Sequence, residues 1–147
     1  MSQHNEENVR LNVELAHDLR DDNDYNTLVI NKGDHHRAFD KLQDANTRHS
    51  ITWTLSGNAS SGVFCALDDP THPGFVWLVR TPSETVFRKL HRGPDNVISI
   101  QDHHRDKTSE GTWHYQLFAR FGNKIYGVPL TFAAGGANNP NPSIKNN

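Results

Sequence analysis

Apolar side chains recur at every second position along most of this chain, a spacing that suits strands and not helices. Val9, Leu11, Val13 and Leu15 alternate with Arg10, Asn12 and Glu14. Ile51, Trp53 and Leu55 alternate with Thr52, Thr54 and Ser56, and Trp113, Tyr115, Leu117 and Ala119 alternate with His114, Gln116 and Arg120. Successive side chains of a strand leave opposite faces, so each segment offers one face to a core and one to water. Clusters of Gly, Pro, Asn and Asp punctuate the segments at about the 8–12-residue interval of a sandwich or barrel. The expected fold class is all-β, a two-layer antiparallel β-sandwich.

Further strands are expected over 27–30, 63–67, 75–79, 85–90, 96–101 and 124–128, with a hairpin turn at Gly122-Asn123. The runs at 63–67 and 75–79 are continuously apolar, as in strands covered on both sides or in an edge that docks a partner. Pro129 places the end of the returning strand at an edge or a bulge. Helical spacing competes in one place, since Leu11, Leu15 and Leu19 also fall four apart, and a short helical turn is expected around 37–42. The chain divides into a flexible N-terminus at 1–8, a sandwich domain at 9–132 and a Gly-, Asn- and Pro-rich tail at 133–147. That tail is a loose end or one last short strand.

The 147 residues are 34% hydrophobic and 22% charged, enough for one folded core with polar ends. Fifteen basic against 17 acidic residues leave a formal charge of -2, which gives no overall field to draw in nucleic acid or an anionic membrane. Ten histidines turn that balance positive near their ordinary titration point of about 6.5, so solubility is expected to fall just below neutrality. Cys65 lies among Val63, Phe64, Ala66 and Leu67 and reads as a small buried hydrophobe, which favours a reducing compartment. The first seven residues show neither a basic nor an apolar leader segment, and no run of about 18 apolar residues occurs, so the expected location is cytoplasmic. Asn58-Ala59-Ser60 matches a glycosylation triplet by chance in that setting.

Histidine pairs at His35-His36 and His103-His104, with Asp34, Asp102 and Asp106 nearby, raise a metal site, for which His103, His104 and His114 are the candidate ligands. Adjacent strand residues point to opposite faces, and exposed loop histidines are the ordinary alternative. A blue-copper site fails because the cysteine is mid-chain and the one methionine is the first residue. Asp22, Asp24 and Asn26 are followed by Thr27 where a calcium loop needs glycine, so the acidic run reads as a solvated turn. There is no Gly-x-Ser-x-Gly elbow, and Gly135-Gly136 lacks the Lys-Ser/Thr of a phosphate loop, so neither catalytic residues nor a cofactor are expected. Arg80, Arg88, Lys89, His91 and Arg92 form a basic group that could touch phosphates, with Phe87 as a stacking ring, although a solvated strand face explains it more simply.

The segment Gly111-Thr112-Trp113-His114-Tyr115-Gln116-Leu117, the turn at Gly122, Tyr126 and the closing Asn141-Pro142-Ser143-Ile144-Lys145-Asn146 resemble a pattern of small bacterial β-sandwich proteins of unknown function, the DP-EP family. Ile51-Thr52-Trp53-Thr54-Leu55 resembles their central Trp strand, while Asn141 stands where that pattern carries aspartate. The resemblance implies an immunoglobulin-like or cupredoxin-like sandwich closed by a strand at 143–146, and it implies no activity. A more distant likeness to methionine-poor bacterial inclusion-body proteins suggests self-association.

A sandwich exposes edges and loops, and this one lacks a convergent catalytic set. The expected function is therefore a non-enzymatic protein-binding or self-assembly module, acting as a homo-oligomer or on a protein partner through an edge strand. A histidine-based metal protein is one alternative. A carbohydrate-binding sandwich is another, with Trp113, Tyr115 or Trp77 as a stacking platform, although the alternation favours these rings as core.

Overall fold

The computed structural model describes residues 6–19, 26–44, 46–130 and 141–147. Five strands form one sheet: β1 (Asn8–Leu15), β2 (Leu28–Ile30), β4 (His49–Leu55), β7 (Phe87–Arg92) and β8 (Val97–Asp102), in the order β2-β1-β4-β8-β7. Six form the other: β3 (His36–Phe39), β5 (Val63–Phe64), β6 (Phe75–Leu78), β9 (Gly111–Phe121), β10 (Lys124–Gly127) and β11 (Ser143–Asn146). The sheets pack face to face as a sandwich.

Alternation becomes burial directly. Every odd residue of β4 is buried and every even one half-exposed, while β8 buries Ile98 and Ile100 and turns Ser99 and Gln101 outward. At the centre, Trp53 from the first sheet meets Tyr115 from the second: their rings are 5.1 Å apart, and the indole N–H donates to the phenol oxygen at 3.0 Å. That bond satisfies the one polar atom a buried tryptophan carries. Burial pushes the Tyr115 hydroxyl far above its ordinary titration range.

β9 organises the second sheet. β11 pairs with its first half and β10 with its second half along one side, while β6 and β5 share the other side in the same way. The β9–β10 turn is Gly122-Asn123, and Gly122 takes φ 64, which a tight hairpin requires at its first central residue.

Two features depart from the sequence reading. The sheets are mixed, because β1 pairs parallel to β4 and β11 parallel to β3. In the first pair the register sets Leu11 beside Trp53 and Val13 beside Leu55, so inward faces match in either direction. The helical turn expected around 37–42 is replaced by β3, whose main chain pairs with β11 and whose Phe39 is buried. Local propensity lost to that long-range pairing. Leu11 and Leu15 belong to β1, and Leu19 is exposed, so the helical alternative for that segment does not form. Asn8 lies in β1, and Glu7 is tied to His49 through its main-chain N–H. The acidic run at 21–24 and the residues at 133–140 lie outside the described residues. No helix among the described residues is long and apolar enough to cross a membrane.

Candidate functional site

Three strand ends meet at one end of the first sheet. β4 starts at His49, β7 starts at Phe87, and the register sets both beside Asp102, the last residue of β8. The residues around that junction, Arg48, Arg88, Lys89, Gln101, His103 and Arg105, wall a cleft of about 320 Å³.

Lys89 reaches the cleft because β7 is irregular. Arg88 pairs with Gln101 and His91 with Ser99, so Lys89 and Leu90 together stand opposite Ile100 as a β-bulge, and Lys89 takes φ 56. In a regular strand Lys89 would follow Arg88 onto the opposite face, with its ammonium between the sheets. The extra residue cancels that alternation: Phe87 is buried, Arg88 and Lys89 are both exposed, and Leu90 packs back against the core.

Arg105 is held by main-chain oxygens, donating to Asp44 and Thr47 at 2.7 Å each. Its Nη2 also lies 3.4 Å from His103 Nδ1. A guanidinium can only donate, so Nδ1 accepts and the ring proton sits on Nε2, 3.3 Å from Gln101 Oε1. Partial burial, reinforced by Arg88, Arg105, Arg48 and Lys89, depresses His103 to about 4. Its imidazole is therefore neutral at neutral pH. Two nearby carboxylates serve main-chain amides: Glu6 accepts from Arg48 N at 3.2 Å and Asp44 from Asn46 N at 2.8 Å. Among the described residues no ion pair joins a carboxylate to Arg48, Arg88, Lys89 or Arg105. Four cations thus converge on one cleft of a chain whose net charge is -2.

Lys89 also walls two further cavities. A trough runs along the outer sheet face over Ser50, Thr52, Ser99, Ile100 and His91. A cavity of about 410 Å³ opens where β7 faces β6, with Trp77, Pro82, Phe87, Leu90 and Ile100 on its apolar side and Thr81, Glu84, Arg88 and Lys89 on its polar side.

The candidate metal ligands are not brought together. His103 faces the basic cleft. His104 is fully buried, its Nδ1 2.7 Å from Ser109 Oγ and its Nε2 against the main-chain oxygen of Asn147. His114 lies on β9 with Nδ1 3.3 Å from the Asn141 oxygen. Among the described residues no three His, Cys, Asp or Glu side chains assemble as a metal site. The Ser109–His104 pair is closed to solvent, and Asp102 bonds Asn146 at 3.0 Å instead of the imidazole, so no accessible nucleophile results. Cys65 is buried and its thiol is pushed up by that burial. Trp113 and Tyr115 are core, and Trp77 is half-buried in the wall of the cavity between β7 and β6.

The basic group suggested by the sequence divides. Arg80 stacks over Trp113 at 5.0 Å and donates to the Thr112 oxygen. Arg92 donates to the Phe64 oxygen and pairs with Asp95. His91 bonds Ser99 in the outer-face trough, and Phe87 turns inward, where it packs on Trp77 and Trp113. Arg88 and Lys89 remain at the cleft, joined by Arg48, His103 and Arg105 from other segments. No local pattern announces Arg48 or Arg105, because strand register alone brings them there.

Among known proteins, no family model matches the chain, and no curated protein or solved structure matches it.

Proposed function

We propose that this protein is a non-enzymatic binding module whose ligand or partner presents an oxyanion, carboxylate, phosphate or sulfate, to the cleft between β4, β7 and β8. One observation carries the reading: Arg48, Arg88, Lys89 and Arg105 converge with no carboxylate paired to them among the described residues. An anion relieves their mutual repulsion, and a guanidinium pinned like Arg105 presents its donors without further loss of side-chain freedom. The strain held at Lys89 supports the same reading, because left-handed non-glycine residues gather where a side chain must be aimed. Self-assembly through an edge has less support. β2 has three residues, β5 has two, and the β7 edge is charged and bulged, all devices that discourage strand addition.

Titration with sodium sulfate at low ionic strength, followed by NMR, tests this. The Arg88 and Gln101 amides are expected to shift saturably, and the depressed His103 titration is expected to rise as the anion offsets the surrounding cations. Arg48→Ala and Arg88→Ala each remove an exposed side chain with no partner among the described residues, so folding is expected to survive while sulfate affinity falls about tenfold. Absence of saturable shifts, or undiminished binding in the double variant, overturns the proposal.

A further inference from the structure

We infer that the ligand is a small amphipathic anion, with its charged group among Arg48, Arg88 and Lys89 and a ring or short apolar body in the cavity walled by Trp77, Pro82, Leu90 and Ile100. This deepens the oxyanion reading and rests on it. The two cavities are not independent, since Arg88 and Lys89 belong to the walls of both. A molecule anchored by its charge at Arg88 therefore has an apolar surface within reach of its other end. The volume of about 410 Å³ lies toward the lower end of the roughly 300–1,000 Å³ range of ligand sites, which suits one small ring system.

The same bulge builds both halves of the site. By placing two residues opposite Ile100 it sends Lys89 out to the cleft and Leu90 in toward Trp77 and Phe87. Without it the ammonium would point between the sheets and the leucine into water. The segment after β6 is strained as well. Val79 holds φ 68 while 98% exposed, two residues before Thr81 and Pro82 of the cavity wall. A β-branched residue in that conformation with nothing packed on it persists where the neighbouring wall dictates the path of the chain. Glu84 also contributes to this wall. Its carboxylate repels a second negative charge, so the body of the ligand carries none.

Three probes separate the possibilities: phenyl phosphate, inorganic phosphate and benzyl alcohol, each titrated at low ionic strength by calorimetry and by tryptophan fluorescence, which Trp77 reports. Phenyl phosphate is expected to bind about tenfold or more tightly than inorganic phosphate, the ratio for burying one ring, and benzyl alcohol to show no saturation. Thr81→Asp changes an exposed residue of this cavity beside Pro82 and is expected to weaken phenyl phosphate by about tenfold while leaving inorganic phosphate unchanged. Arg88→Ala is expected to weaken both anions. Equal affinity for the two phosphates, or indifference of phenyl phosphate to Thr81→Asp, overturns the amphipathic ligand and leaves the oxyanion site standing. Failure of both phosphates to bind overturns both readings.

Discussion

Lys89 shows how much of the site depends on single backbone angles. At φ 56 a residue with a β-carbon costs roughly 1–2 kcal/mol relative to its ordinary conformations, a strain that glycine would not feel. Lys89→Gly preserves the bulge while deleting the ammonium, so its effects on stability and on binding have opposite signs. The variant is expected to gain about 0.5–1 kcal/mol in urea denaturation, the relief of strain less the extra freedom of the unfolded chain. Its sulfate affinity is expected to fall about tenfold. A loss of stability would show that the left-handed turn is not strained. The residues themselves were partly legible: Arg88-Lys89 stands out as a charged pair in the sequence. The bulge was not, because the usual marker of such a position is glycine and lysine occupies it here.

Strands were legible wherever one face meets the core and the other meets water. β1, β4, β8 and β9 follow the alternation, and the Gly122-Asn123 turn lies where its residues require it. β3 escaped because its four residues show no alternation of their own: Phe39 alone is buried, and its partner strand is distant in sequence. β11 was implied by the likeness of 141–146 to a closing strand, yet it is interior to its sheet, between β9 and β3. Ile144 is 1% exposed there, facing Trp113 and Arg37 in the register, while Lys145 points to solvent. Ile144→Ala is therefore expected to cost about 2–5 kcal/mol and Lys145→Ala less than about 0.5 kcal/mol, both read from chemical denaturation. Equal effects would contradict the register.

For the whole molecule, stability against pH combines two opposing contributions. Asp102 is buried beneath the cleft with Oδ1 bonded to Asn146 and Oδ2 meeting no donor, and burial pushes it up to about 7 from an ordinary 3.8. Between those values the folded chain keeps a proton the unfolded chain has lost, so this contribution is complete below 3.8 and is lost as pH rises through 7. His36, His103 and His104 run the other way. Burial depresses all three, so folding is disfavoured as pH falls below their ordinary value of 6.5. Asp102→Asn cancels the carboxylate contribution alone. The stability of the variant relative to the parent is expected to rise between pH 5 and pH 8, by on the order of 1–3 kcal/mol, in urea melts at several pH values. A flat difference would mean that Asp102 is ionised throughout. The cleft above it was the least legible part of the protein, since its walls come from 46–48, 88–89 and 101–105 and only the finished sheet joins them. The place of β11 also bears on how the chain emerges from a ribosome. His36 and Ser143, whose side chains touch in the pairing of β3 with β11, are 107 positions apart. Until the segment at 143–146 is translated, β3 and the adjoining flank of β9 have no strand between them. The second sheet therefore completes only after β11 has been made, more than a hundred positions after β3, and a nascent chain paused between the two offers two unzipped borders to whatever chain it meets.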